Sequence, residues 1–305
     1  MCRLPRALAW LAVATAVAAA AAPAPRGFDA LPEVIGEEQT ALVEPEDTLL
    51  DVAYRYKVGH VALERLNPHV DPWIPAPGTI VRLPTRTVPP RVEHRGLVIN
   101  VPDLRLYDFT VGPVPEVFHV AVGDAVDPTI LGSFRVGDKR EEPFWHVPAS
   151  IQEEKPELPT VVPPGPDNPL GDRWMTIGTT SYGIHGTNNP WSIGREATHG
   201  CVRLYDEEMR RLFERTRTGT PIEIVYQPYK WGRDGDAILL EAHPDLYARF
   251  ERPLDEALAV PRELGLLDAL DLVRVTEVLA EARGVPERVG TRPDAAASAT
   301  SEPTS

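Results

Sequence analysis

The chain has 305 residues, with 43% apolar residues, 25% charged residues and a formal net charge of −14. Those shares fit one or two soluble globular domains with a full hydrophobic core, and so acidic a surface excludes the basic stripe that a nucleic-acid partner or an anionic lipid surface requires. The 33 prolines favour strands, loops and linkers over a helical bundle.

Residues 1–22 read as a secretory signal. Arg3 and Arg6 form a basic start, Leu8 to Val17 an apolar run, and Ala18 to Ala22 the small residues a signal peptidase accepts. The apolar run is short for a spanning helix of about 20 residues. Cleavage removes two positive charges and leaves a net charge of −16. It also removes Cys2, so that Cys201 remains alone in an oxidising compartment, with no intramolecular disulfide open to it. Residues 23–39 carry no clear pattern and lead into the first unit.

From Thr40 to Pro84 the chain reads as strand, helix, helix, strand. Glu46-Asp47-Thr48 is a turn, and Thr48 with Asp51 forms a capping box. Leu49, Val52, Ala53 and Tyr56 follow at helical spacing. A second helix from Val61 to Leu66 stops at Asn67-Pro68, and Thr79 to Leu83 alternates as a closing strand. Asp47-Thr48-Leu49, Asn67-Pro68 and Ile80 to Pro84 resemble the opening, central and closing motifs of a LysM module, with Glu46 where that family usually has glycine. The resemblance implies a partner rich in N-acetylglucosamine, the glycan strands of peptidoglycan.

Thr85 to Pro90 is a linker, and residues 92–228 form a second domain of mostly β structure. Strands are expected at Leu97–Val101, Leu104–Phe109, Val117–Val122, Gly132–Val136, Met175–Ile177, Val202–Leu204 and Ile222–Val225. The proline-rich stretch 153–171 is a long loop of the kind that serves as a lid. Asp206 to Arg217 is a helix with Met209, Leu212 and Phe213 on one face. A hairpin follows over 229–245, turning at Arg233 to Asp236. Helical periodicity runs over 253–283 with Gly284 as C-cap, and the small and polar residues of 284–305 predict disorder. The expected architecture is therefore a small βααβ unit, a mostly β sandwich or barrel with one or two helices, and a helical C-terminal extension.

The chemistry concentrates in Tyr182 to Thr187 and Ala197 to Leu204. Cys201 has two histidines in reach by sequence, His199 and His185. A free thiol, with a pKa of about 8.5, is mostly protonated at neutral pH. An imidazole beside it takes the proton and leaves the nucleophilic thiolate. Gly200 lets a substrate approach the backbone closely, and the N–H groups there can hold an oxyanion. Arg203 shares a strand face with Cys201 and suits bidentate pairing with a carboxylate. A zinc site of His185, His199 and Cys201 lacks an obvious fourth ligand, so no metal is expected. Trp191, between His185 and Cys201, is a candidate wall of the cleft. The remaining histidines (His60, His69, His94, His119, His146 and His243) read as surface or satisfied core residues. The carboxylates show no pair at glycosidase spacing.

His185-Gly186, followed by Thr198-His199-Gly200-Cys201 and Arg203, resembles the YkuD signature of L,D-transpeptidases. The resemblance extends to Gly96 to Tyr107, Val161-Val162-Pro163, Asn168 to Gly171 and Thr218 to Pro221, and covers about Thr40 to His243; Thr129 to Gly132 departs from the family's Thr-Pro-x-Gly. It implies that Cys201 is the nucleophile and His185 the base, oriented by a backbone carbonyl, that of Gly186. His199 assists or shapes the oxyanion site, and Arg203, with Thr198 beside it, binds a stem carboxylate. The implied reaction forms a thioester with the diaminopimelate of a tetrapeptide stem, releases D-alanine and needs no cofactor. An amine of an envelope protein, such as an outer-membrane lipoprotein, or of another stem then resolves the thioester. The implied enzyme is periplasmic and monomeric. An L,D-carboxypeptidase or wall amidase on the same scaffold, or a non-catalytic wall-binding protein, are the competing readings.

Overall fold

The computed structural model describes residues 27–293. The expected signal segment and residues 294–305 of the expected tail lie outside the described residues. Two strands, β1 (Gln39–Leu42) and β2 (Ile80–Leu83), pair antiparallel and flank two helices, α1 (Leu49–Tyr56) and α2 (His60–Leu66). Thr48 caps α1: its hydroxyl accepts from the Asp51 N–H at 3.2 Å while the Asp51 carboxylate accepts from the Thr48 N–H at 2.8 Å. The preceding turn places Glu46 at φ 70°, the left-handed region that glycine enters without strain. Buried Asn67 fastens the end of α2 to β2, donating to the carbonyls of Leu63 and Arg82 and accepting from the Arg82 N–H.

The central domain is built on eight strands: β3 (Leu97–Asn100), β4 (Arg105–Asp108), β5 (Glu116–His119), β7 (Gly132–Glu141), β10 (Arg173–Ile177), β11 (Gly183–His185), β13 (Val202–Arg203) and β14 (Pro221–Val225). They lie in the order β13-β11-β10-β7-β14-β3-β4-β5. The first and last strands do not stay as open edges. Just past β5, Ala121 exchanges both backbone hydrogen bonds with Arg203 of β13, each 2.9 Å, which closes the sheet into a barrel with its seam beside Cys201. Leu97, Ile99, Leu106, Phe118, Met175, Ile177, Ile184 and Val202 fill one side. There α4 (Asp206–Arg215) adds Met209, Leu212 and Phe213, the face expected from its spacing. Shorter elements complete the domain: β6 (Val122–Gly123) pairs parallel with β12 (Glu196–Thr198), and β8 (Trp145–His146) pairs with β9 (Val161–Val162). Helix α3 (Ala149–Glu154) sits between β8 and β9 and leads into the long loop.

The C-terminal region differs from expectation. The strands β15 (Tyr229–Asp234) and β16 (Ala237–Ala242) form the expected hairpin, but a third strand, β17 (Pro286–Thr291), pairs along β16. The expectation of disorder over 284–305 is thus wrong for 286–291: Val289 is buried in the local core and the free edge of β16 supplies the backbone partners. The helical stretch is broken into α5 (Pro253–Ala257), α6 (Ala259–Leu264), ended by left-handed Gly265, and α7 (Leu272–Glu281), capped by Asp271. Phe28 and Leu31, from the segment expected to lead into the first unit, pack instead with Trp231, Ile238, Leu240, Val275 and Val278. The extension is a mixed α/β unit.

These parts meet at a buried ionic junction. Arg105 pairs with Glu241 at 2.6 Å, and Lys230 pairs with Asp103 at 2.6 Å and Glu241 at 3.1 Å. The Tyr107 hydroxyl donates to Asp103, and linker residue Thr87 donates to Glu241. Two cations balance two anions, the condition under which such a group persists out of water.

Candidate active site

Cys201, the free cysteine among the described residues, lies in the turn from β12 to β13. His185 ends the neighbouring strand β11. The parallel pairing of β11 with β13 sets Ile184 opposite Val202 and His185 opposite Arg203, and a hydrogen bond from the Gly183 backbone reaches the thiol. Cys201, His185, His199, Thr198 and Arg203 all line one cleft of about 990 Å³, whose wall includes Trp145 of β8, Ile151 of α3 and Leu158 of the long loop.

His185 is fixed from several sides. His185 Nδ1 lies 2.6 Å from the Gly186 carbonyl, which leaves Nε2 as the free basic nitrogen of the neutral ring. The carbonyl of Leu170 also faces the imidazole. Asp206, at the start of α4, accepts from the Thr187 N–H at 2.8 Å and so holds the Gly186–Thr187 peptide; a Cβ at Gly186 would lie 2.0 Å from that carboxylate. The loop carrying Leu170 is held by buried Asn168, which donates to Pro143 O and accepts from Leu170 N. Trp174, the cross-strand partner of His185, stacks on its ring with centroids 5.5 Å apart, and Gly183 leaves the space that ring occupies.

Cys201 is held by Thr198. Its hydroxyl donates to the Cys201 carbonyl at 2.7 Å and accepts from the Gly200 N–H at 3.2 Å. Gly200 has φ +94°, and a Cβ there would meet the Tyr182 ring at 2.4 Å, so both its conformation and its neighbour require glycine. Its N–H, expected to face an oxyanion, is instead engaged by Thr198. His199 turns toward the loop, its Nε2 3.1 Å from Glu154 of α3. Arg203 donates to the Ala197 carbonyl at 3.0 Å, and its buried Nε has no hydrogen-bond partner.

Trp191 does not wall the cleft. It stands in a short 3-10 turn, Pro190–Ser192, and packs 5.5 Å from the Tyr54 ring of α1. The turn faces the N-terminal unit, an orientation that position between His185 and Cys201 does not reveal. Trp174, Asp206 and Glu154 carry site geometry that motif reading leaves unassigned, and Thr198, expected beside Arg203 at a stem carboxylate, hydrogen-bonds instead within its own turn.

Burial, then the Arg203 guanidinium, pushes His185 down to about 3 against the two carbonyls that favour its protonated form. Burial pushes the Cys201 thiol up, against the Gly183 hydrogen bond and Arg203. The resting pair is therefore neutral thiol and neutral imidazole. Such a pair suits proton transfer in step with attack, with an adjacent cation placed for an anionic substrate group.

The description of the YkuD L,D-transpeptidase catalytic domain matches residues 94–224. The chain is 34% identical over 231 residues to the probable L,D-transpeptidase YcfS of Escherichia coli (strain K12), covering 72% of each chain. It is 32% identical over 273 residues to the probable L,D-transpeptidase YbiS of the same strain, covering 84% of this chain and 88% of that one. Probable L,D-transpeptidase ErfK/SrfK of Salmonella typhimurium is 31% identical over 271 residues, with 84% and 87% covered. By this likeness over most of both chains, the chain belongs to the YkuD family and is an enzyme of the L,D-transpeptidase class.

Proposed function

We propose that the enzyme removes the terminal D-alanine from a tetrapeptide stem of peptidoglycan and passes the remaining stem to an amine, through a thioester on Cys201. As Cys201 Sγ attacks the carbonyl carbon at the L-centre of diaminopimelate, His185 Nε2 takes the thiol proton. The imidazolium then protonates the departing D-alanine amine, and the C–N bond breaks. The acceptor amine attacks the thioester, loses a proton to His185, and the sulfur leaves to be reprotonated. Arg203 pairs with a stem carboxylate. That pairing offsets the positive field on His185 and makes the ring more basic once substrate is bound. The observation that carries this reading is the convergence of Cys201, His185 and Arg203 on one cleft, with His185 held neutral.

The site of action is the periplasm, and the acceptor is a lysine of an envelope protein in preference to a second stem, since a surface of −16 in the mature chain disfavours an acidic acceptor. The N-terminal unit holds the glycan strand. Intact-mass measurement after mixing with a soluble tetrapeptide tests the chemistry. Wild type is expected to gain the acyl mass at Cys201 and to pass it to a lysine-ended peptide. Cys201→Ala, still folded, is expected to gain none. Acylation of Cys201→Ala would refute the nucleophile, and release of free tripeptide in the presence of acceptor would make the enzyme a hydrolase.

A further inference from the structure

The N-terminal unit is packed against the segment that leads into the nucleophile. Gly59, the N-cap of α2, meets Gly194 backbone to backbone: a Cβ added at Gly194 would lie 2.4 Å from Gly59 Cα, and one at Gly59 would lie 3.1 Å from Gly194 Cα. Arg195 Nη2 donates to Nδ1 of His60 at 2.9 Å. Around this point the Tyr205 hydroxyl donates to Val58 O at 3.0 Å, and Lys57 pairs with Glu207 at 2.9 Å. Tyr54 packs on Trp191 and Tyr205, with centroids 5.5 and 5.7 Å away. Two glycines at closest approach, a buried hydroxyl bond and an aromatic cluster make a fixed joint.

The path from this joint to the thiol is short. The Arg195 carbonyl accepts from Val122 N, and β12 then runs along β6 to Thr198, whose hydroxyl holds both Gly200 and Cys201. Thr198 stands three positions after Arg195, about 10 Å at the usual rise. We infer that Gly59, His60 and Tyr54 of the N-terminal unit are positioning residues of the catalytic centre, acting through Gly194 to Thr198 on Cys201. The unit then does more than hold the enzyme to the wall: it sets where the nucleophile sits. This rests on reading Cys201 as the nucleophile.

The test uses the full mature chain. His60→Leu removes the acceptor for Arg195, His60→Asn keeps one near Nδ1, and Tyr54→Ala removes the aromatic contact. Val52→Ala, buried inside the unit's own core, is a control that lowers Tm without touching the joint. Turnover of a soluble tetrapeptide is measured with the rate of Cys201 alkylation by iodoacetamide between pH 7 and 9. His60→Leu and Tyr54→Ala are expected to lower kcat about tenfold with little change in KM, because small displacements of a reacting group cost rate heavily. Their alkylation rates should shift as well, while His60→Asn recovers most of the loss and Val52→Ala keeps wild-type kcat. Interface variants that remain folded with wild-type kcat and alkylation overturn the inference, as does an equal loss in Val52→Ala. If wild type is not acylated by the stem at all but alkylation still separates His60→Leu from His60→Asn, the joint stands and the substrate reading falls.

Discussion

Cys201 and His185 are both held in their uncharged forms by burial, and this distinguishes the site from a preformed thiolate–imidazolium pair. The thiol of the free enzyme is therefore expected to alkylate with a pH profile whose midpoint lies above the free-cysteine value of about 8.5. A midpoint at or below neutral pH, followed by iodoacetamide incorporation and intact mass, would show a resting ion pair instead. Thr198 gives a second expectation at this scale. Its hydroxyl clamps Gly200 and Cys201 together, so Thr198→Val should lower kcat by about ten- to a hundredfold while Thr198→Ser stays near wild type. Equal activity of the two variants in the tetrapeptide assay would remove the clamp from the mechanism. The juxtaposition of Cys201, His185 and the Gly186 carbonyl was legible in the sequence because rare residue types stand there within short motifs. Trp174 was not, since its contact with His185 is a cross-strand register fact. Trp191 was misread because a three-residue turn gives no periodicity from which its facing side can be inferred.

Helix α4 joins the site to the core: Asp206 in its first turn steadies the peptide that orients His185, while Met209, Leu212 and Phe213 pack into the barrel. Between them Glu208 is buried, with Oε2 lacking a hydrogen-bond partner and Arg211 only within 3.8 Å. Burial pushes this carboxyl up to about 8, against Arg211 and Lys57. With a folded pKa above the unfolded value, its contribution is fully present below about 4.5 and is lost as pH rises through 8. Glu208→Gln is expected to gain stability over wild type mainly at alkaline pH, by about 2–4 °C in Tm for each kcal/mol recovered. Thermal melts at pH 5 and pH 9 check this, and a difference of the same size at both values would contradict the buried-acid account. Strongly periodic elements such as α4, and apolar strands such as β3, were readable because core packing and local pattern agree. Strand β17 was not, because Pro286 to Thr291 carries one core residue, Val289, amid polar neighbours. Its order comes from the edge of β16, which only the fold supplies.

At the scale of the whole molecule, the linker, the barrel and the C-terminal unit share the junction of Arg105, Glu241, Lys230, Asp103 and Thr87. Lys230→Met leaves two buried carboxylates facing one cation and is expected to cost about 3–5 kcal/mol, read as a lower urea midpoint; an unchanged midpoint would mean the junction adds nothing. The same burial sets how the protein responds to acid. His60, His119, His185 and His243 all have folded pKa values lowered, with desolvation the largest cause in each, so all four are neutral in the fold. Unfolded imidazoles titrate at about 6.5. Below that value the unfolded chain binds protons that the folded chain excludes, so stability falls as pH drops through 6.5. His185, held down to about 3, accounts for about 2 kcal/mol of that loss by pH 5, at 1.36 kcal/mol per unit. Burial would raise Glu241, but Lys230 and Arg105 hold it well below the carboxylate range, so its contribution is lost only on further acidification, below about 4.5. Glu208 works in the opposite sense between 4.5 and 8, and burial raises the Glu196 and Asp206 carboxyls in that same sense. Urea unfolding of Glu208→Gln, in which that opposing carboxyl is removed, should therefore give a lower free energy at pH 5.0 than at pH 7.5 with an unchanged slope. A free energy of that variant that is flat or higher at pH 5.0 would mean that these imidazoles are already protonated in the fold, His185 among them, and would remove the neutral base from the proposed acyl transfer at Cys201.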